Sequence, residues 1–205
     1  MSSLDTLIAK FEKFPGIGAR QARRFAFHIL TMPKEDTAEL AQLITTLHDS
    51  VTECNLCHRY FAQNGTRSGV CTICADTLRD RTKLLIVERD SDIPPLERSG
   101  VYDGLYFVLG GTIPLLNTNA TQKLRGGGLK QTVSERLPEG LSEIILAFSV
   151  NPDGENTERY VRTLLAEVLE GHTITISHLG RGLSTGSELE YADPETLRNA
   201  LKNRQ

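Results

Sequence analysis

A chain of 205 residues with 39% hydrophobic and 24% charged residues has the make-up of a globular protein, large enough for one ordinary domain plus small appended modules. Disorder is therefore excluded as the default. No run approaches the roughly 18 apolar residues a membrane span needs, and Asp5, Lys10, Glu12 and Lys13 stand where a secretion signal needs an apolar core, so a cytoplasmic protein without a membrane partner is expected.

The net charge of −3 hides a division. Residues 1–83 carry eleven Lys+Arg against nine Asp+Glu, whereas 84–205 carry twelve against seventeen. The front excess is local, because Lys10, Lys13, Arg20, Arg23 and Arg24 face only Glu12 across residues 10–24.

In chain order, Leu4, Leu7, Ile8, Phe11 and Phe14 fall at helical spacing and predict an amphipathic helix ended by Pro15. After the turn Phe14-Pro15-Gly16-Ile17-Gly18 the period resumes with Ala22, Phe25, Ala26, Ile29 and Leu30, the expected inward face of a second helix that Pro33 closes. A third helix is expected from Asp36 as N-cap, with Leu40, Leu43, Ile44, Leu47 and Val51 on one face. Residues 54–74 lose periodicity and read as a loop-built module. Beyond Lys83, apolar runs at 84–87, 106–109, 144–148 and 173–177 alternate with helical patterns near Pro94, through 129–137 and through 161–169. That alternation predicts a parallel sheet covered on both faces. Gly126-Gly127-Gly128 is expected to be mobile, and a Gly-rich loop at 180–187, an extended piece at 188–191 and a helix from near Pro194 follow. The fold class is α/β: an N-terminal helical hairpin, a four-cysteine module, a parallel-sheet domain and a short C-terminal extension.

Three constellations carry chemistry. The first is Cys54-x2-Cys57 and, after thirteen residues, Cys71-x2-Cys74. Two such knuckles supply the four thiolates of a tetrahedral structural zinc site. The alternatives are two disulfides, which a cytosolic chain disfavours, or four unrelated thiols. His58 adjoins a knuckle, but four thiolates already close the shell, so it is expected as a solvent-exposed bystander.

The second is the glycine turn with Gly16 and Gly18, followed by Arg20, Arg23 and Arg24. Glycines before a helix expose backbone N–H groups, the helix N-terminus adds positive potential, and arginines on the first turns extend it, all suited to phosphate. This pattern fits a helix-hairpin-helix that binds DNA backbone without reading sequence; the alternative is a plain α-hairpin with solvated arginines. The third is a set of acids after strands: Glu88, and Asp153 with Glu155 in Asn151-Pro152-Asp153-Gly154-Glu155. In a parallel sheet the strands' carboxyl ends share one edge, where clustered acids suit Mg²⁺ and phosphoryl chemistry. Alternatively they are solvated loop acids, with Asp153 or Glu155 capping the next helix.

With hairpin, four cysteines and acid-bearing α/β unit in this order, the chain resembles the RecR family of bacterial recombination mediators from about residue 4 to residue 201, and the tail at 181–193, Arg-Gly-Leu-Ser-Thr-Gly-Ser-Glu-Leu-Glu-Tyr-Ala-Asp, is typical of that family. The resemblance implies a helix-hairpin-helix region at 1–53, a zinc finger at 54–82, a Toprim domain at 83–177 and a C-terminal extension at 178–205. It implies that Glu88 is the first Toprim acidic position and that Asp153 and Glu155 form the second motif. It further implies a ring-shaped homotetramer in the bacterial cytoplasm, associated with the nucleoid. That ring would bind single- and double-stranded DNA and act with RecO and RecF to load the recombinase on gapped DNA. Three features depart from the family: a shorter loop after Asn151-Pro152, Ser184 in place of a proline, and an atypical stretch at 110–137.

The leading reading is a mediator without catalytic activity. Its rival is a Mg²⁺-dependent Toprim nuclease or strand-transfer enzyme, although none of the five tyrosines stands in a recognisable nucleophile context. A zinc-stabilised adaptor that never touches DNA is a third reading, against which the basic front argues.

Overall fold

The helical front begins at α1 (Ser3–Phe11), where the Ser2 hydroxyl accepts the Asp5 amide at 3.2 Å and the Asp5 carboxylate accepts the Ser2 amide at 3.0 Å, a reciprocal capping box. The structure, a computed structural model, describes residues 2–62, 69–115, 118–180, 182, 183, 186, 188–192 and 194–202. It divides into two compact units, Met1–Thr52 and Glu53–Gln205.

In the first unit α1 packs on α2 (Ala19–Thr31). The contact narrows to Ala22 and Ala26, one turn apart and fully buried, because small side chains let two helices approach closely. The inward face expected of α2 is thus slimmer than its sequence period: Phe25 is 43% exposed, touching Phe11 only edge to face, and Leu30 is 64% exposed. The third helix, α3 (Lys34–Ser50), starts ahead of Asp36. Pro33 takes the N-cap, its ring holding φ at −52°, and Asp36 falls in the first turn, where with Glu35 it complements the positive end of the helix. No residue of α3 is fully buried, and Leu43, Ile44 and Leu47 stand more than half exposed.

The second unit is built on β3 (Asp80–Val87), β4 (Gly104–Val108), β5 (Glu143–Ala147) and β6 (Thr175–His178), a wholly parallel sheet of order β4-β3-β5-β6. The helices α5 (Ile93–Ser99), α6 (Gly126–Arg136) and α7 (Pro152–Ala166) connect the strands. Alternation along β3 sorts the core into two layers. Leu84 and Ile86 join Phe107, Ile144 and Leu146 under Leu129 and Val133 of α6 and Val161 and Leu165 of α7. Leu85 and Val87 join Tyr106 and Val108 on the other face, against Ile93 and all four cysteines. The cysteine module is therefore one of the two covers of the sheet. It spans β1 (Val51–Glu53), β2 (Tyr60–Ala62) and α4 (Thr72–Ala75).

Two expectations are corrected. Gly126-Gly127-Gly128, expected to be mobile, form the first turn of α6. A Cβ on Gly126 would collide with the Tyr160 hydroxyl, and one on Gly128 would lie 2.9 Å from His58 Nε2, so close packing explains two of the glycines. The piece at 188–191 is not extended; Leu189–Tyr191 form a 3₁₀ turn, closed by the Ala192 amide on the Leu189 carbonyl at 3.2 Å. The final helix is α8 (Pro194–Lys202). Of the tail motif, Arg181, Ser184, Thr185, Ser187 and Asp193 lie outside the described residues. Among the described residues no helix is long and apolar enough to cross a membrane.

Candidate metal centre and nucleic-acid interface

The four cysteines are buried, and their sulfurs all lie within 4.8 Å of one another. Each is a free thiol, and the Cys57 and Cys71 sulfurs are 3.6 Å apart, far beyond the roughly 2.05 Å of a disulfide. A tetrahedral zinc with Zn–S bonds of about 2.3 Å sets its sulfurs about 3.8 Å apart, so the site fits Zn²⁺. Local hydrogen bonds make the knuckle: the Cys54 amide donates to the Arg59 carbonyl at 2.8 Å, and the His58 amide to the Cys54 carbonyl at 2.9 Å, with His58 left-handed at φ 60°. The Cys71 amide donates to Cys54 Sγ at 3.3 Å, the kind of bond that favours a thiolate. Hydrogen bonding among the thiols holds the Cys54 pKa far below its ordinary value and drives Cys57 and Cys74 far above theirs. Four thiolates packed so tightly need a cation among them.

The module is joined to the sheet. The Cys57 carbonyl accepts the Val108 amide at 2.8 Å, so the knuckle meets β4, the edge strand. His58 is not the exposed bystander expected; its ring lies edge to face on Phe107 at 5.1 Å and its Nδ1 meets Glu53 Oε1 at 2.6 Å. Arg125 Nε donates to the same oxygen at 3.1 Å. Burial is the largest influence on the Glu53 carboxyl and opposes its ionisation, yet the His58 hydrogen bond and the Arg125 guanidinium together hold its pKa below the ordinary value. Sequence reading missed Glu53 and Arg125, 72 residues apart with no local pattern to link them.

At the hairpin, Gly16 has φ +77°, a conformation L side chains rarely adopt, and a Cβ added at Gly16 or Gly18 would meet nothing within 4 Å. The turn is held by the Ile17 amide on the Phe14 carbonyl at 3.1 Å, and Gly18 is the N-cap of α2 with no side-chain cap. First-turn amides of α2 are thus open to an outside acceptor. Arg20, Arg23 and Arg24 are all exposed; Arg20 and Arg24, one turn apart, lie opposite Ala22 and Ala26 with Arg23 on the flank, and Arg24 touches Gln21 at 3.3 Å.

The acids behave differently. Glu88, only 7% exposed, accepts the Ser149 amide at 2.5 Å and so ties the end of β3 to the loop after β5. Asp153 lies in the first turn of α7, but the cap is Asn151, whose side chain accepts the Gly154 amide at 2.8 Å. Asp153 Oδ1 instead accepts the Leu115 amide at 3.0 Å, beside Thr157, which accepts the Ile113 amide at 2.8 Å. Glu155 is exposed. Among the described residues only the cysteines bring three or more metal-binding side chains within 4.8 Å, so Glu88, Asp153 and Glu155 do not present a Mg²⁺ shell in this arrangement.

Comparison with known proteins agrees with this order of parts. Residues 4–48 match the family model for the RecR helix-hairpin-helix, 82–179 that for the Toprim domain and 182–205 that for the RecR C-terminal region. Relatives named recombination protein RecR include one from Streptococcus thermophilus, 37% identical over 97% of this chain and 94% of its own length. Others come from Ligilactobacillus salivarius, 34% identical over 98% of this chain and 96% of its own length, and from Chlorobium chlorochromatii, 36% identical over the same shares. With one third of its residues shared along almost its whole length, and with hairpin, cysteine cluster and Toprim sheet in sequence, the chain belongs to the RecR family.

Proposed function

We propose that this protein is a DNA-binding mediator of recombinational DNA repair rather than an enzyme. The observation that carries the reading is the uncapped start of α2 behind a left-handed glycine, with three exposed arginines in its first two turns. Backbone amides at Gly18 to Arg20 would take one phosphate, and Arg20, Arg23 and Arg24 its neighbours, on single- and double-stranded DNA of any sequence. Zn²⁺ bound by Cys54, Cys57, Cys71 and Cys74 would act structurally, because a closed shell of four protein ligands leaves no open position for chemistry. In functional terms residues 1–53 hold DNA, 54–82 the metal, 83–177 the Toprim edge and 178–205 a C-terminal extension.

The partners are RecO and RecF, with which the protein would load the recombinase on gapped DNA in the bacterial cytoplasm, at the nucleoid. Glu88, Asp153 and Glu155 mark the edge where a basic partner surface would dock. A homotetrameric ring is supported by the apolar side of α3, where Leu43, Ile44 and Leu47 need a cover.

The test is a DNA titration with and without Mg²⁺, on wild type and on Arg20→Ala combined with Arg24→Ala. Each phosphate that is no longer neutralised should flatten the log K against log salt slope by roughly 0.9 on duplex, or about 0.7 on single strands, and the double variant should lose nearly all binding at physiological salt. Repetition of the same arginines on linked subunits enlarges the effect. An unchanged slope moves DNA to another surface, and Mg²⁺-dependent cleavage by the wild type establishes the Toprim enzyme instead.

A further inference from the structure

Between the first cysteine knuckle and α6 lies a cavity of about 200 Å³, against the roughly 10–15 Å³ that a single water needs. It contains an electrostatic anomaly. Arg136, at the end of α6, is only 8% exposed and lines this cavity. Among the described residues its side chain makes one hydrogen bond, from Nη2 to the Arg81 carbonyl at 3.1 Å, and no carboxylate comes within 4.0 Å of it. Five N–H donors are more than one carbonyl can use, and among the described residues no fully buried side-chain nitrogen or oxygen lacks a partner, so the donors that the Arg81 carbonyl does not take are open to the cavity rather than sealed in the core.

The acids nearby do not answer this charge. Glu135 is held at its own helix by Gln131 Nε2 at 2.8 Å. Glu139 also lines the cavity and interacts with Arg136 only across more than ion-pair distance. Burial pulls the Arg136 pKa below the usual arginine value, and Glu139 recovers only part of that loss. His58 meets Glu53 through Nδ1, and its Nε2 lies beside Gly128 on the same lining. The second cation on the lining is Arg81, at the start of β3, and Asn55, Gln131 and Thr132 add neutral polar groups.

We infer that this cavity is a binding site for a small oxyanion, a phosphate or carboxylate group, clamped between Arg136 and Arg81. Two guanidinium groups and neutral amides suit a planar or tetrahedral set of oxygens, and a partly enclosed site strengthens charge-assisted hydrogen bonds. Because the first knuckle supplies Asn55 and α6 supplies Arg136, the anion would link the metal module to the helix that covers the opposite face of the sheet.

The full-length zinc-bound protein carrying Arg20→Ala and Arg24→Ala, which removes the phosphate-binding arginines proposed for DNA, is titrated calorimetrically with inorganic phosphate and, separately, with acetate. Binding of at least one ion with a dissociation constant of millimolar order or tighter is expected. Preference for phosphate assigns a phosphoryl ligand, preference for acetate a carboxylate. Arg136→Met and Arg81→Gln, each added to that background, should weaken binding at least tenfold with zinc content unchanged. Arg81 is exposed, so Arg81→Gln decides the matter even where Arg136→Met fails to fold. Absence of binding by both ions, or binding that survives Arg81→Gln, overturns the inference and leaves the DNA reading untouched.

Discussion

The cysteine module and the acidic sheet edge begin as the same kind of sequence signal, a few metal-binding side chains at suggestive spacing, and they end in opposite states. The cysteines converge until all four sulfurs lie within 4.8 Å, whereas Glu88 and Asp153 each hold a backbone amide and Glu155 lies exposed. The difference is one of scale. A CxxC pair is arranged by hydrogen bonds within six residues, such as Cys54 to Arg59, so local chain geometry delivers the ligands. The acids come from the ends of two different strands, and Glu88 and Asp153 each accept a backbone amide, Glu88 from Ser149, 61 residues along the chain, and Asp153 from Leu115. Two like charges brought together would also raise each other's cost, whereas a single N–H removes it.

The comparison is broken most directly by removing the metal. Structural zinc in such sites binds with about 10–16 kcal/mol, as much as the whole stability of an ordinary domain. The four cysteines share a core with Leu85, Tyr106 and Val108, so chelation or Cys71→Ser should unfold more than the module and loosen one face of the sheet. With no tryptophan in the chain, tyrosine near-ultraviolet circular dichroism reports the change. Metal analysis should give about one zinc per chain. A metal-free protein melting at the same temperature as the native one would sink the structural reading.

What was legible in the sequence follows the same division of scale. The order β-α-β, the parallel sheet, its apolar strands and the cysteine cluster could all be read from local patterns, because each depends on residues a few positions apart. Long-range features could not. Ala22 and Ala26 bury where Phe25 and Leu30 do not, since helix approach rather than hydrophobicity selects the contact. His58 gave no hint of Phe107, nor Gly126 of Tyr160, because those partners arrive from elsewhere in the fold. Nor could spacing reveal that Asn151, not Asp153, caps α7.

The next largest effect sharpens the acidic side. Glu88→Ala leaves the Ser149 amide without its acceptor in a nearly closed site, which should destabilise the protein by about 1–3 kcal/mol in urea unfolding. Glu88→Gln keeps an acceptor oxygen and should cost less. A Glu88→Gln protein that folds normally yet fails to bind its partner would place the charge itself in recognition.

Acid separates the two regions as well. Glu53 has its pKa lowered in the fold below the ordinary 4.5, burial opposing and His58 and Arg125 prevailing. A depressed carboxyl contributes stability that is complete above its unfolded value and is lost as pH falls through the folded one. Resistance to unfolding should therefore decline below about pH 4.5, and Arg125→Met, by removing one of the two cations, should flatten that decline. Circular dichroism melts between pH 6 and pH 3 compare the two slopes, and equal slopes would remove Glu53 from the joint between module and sheet.

The smallest expected change is the most discriminating. Asp153 holds the Leu115 amide through one oxygen at a partly exposed position, so Asp153→Asn, which retains an acceptor there, should alter stability by under about 0.5 kcal/mol, and Asp153→Ala by about 1 kcal/mol. The same pair of variants separates three roles by charge alone. If Asp153 only anchors the segment at 113–115, Asn behaves as wild type in every assay and Ala is mildly unstable. If it recognises a basic partner, Asn folds normally but binds that partner weakly, and the weakening fades at high salt as screening removes what the charge supplied. If it coordinates Mg²⁺, the wild type should gain stability on adding the ion and Asn should not, because an amide oxygen replaces a carboxylate poorly in a hard-cation shell. Calorimetric melts with and without Mg²⁺ decide this last case. Stabilisation of the wild type alone would mean that the acids gather when the ion arrives, and the contrast between the acidic edge and the cysteines would become one of ligand-induced against ready-made geometry.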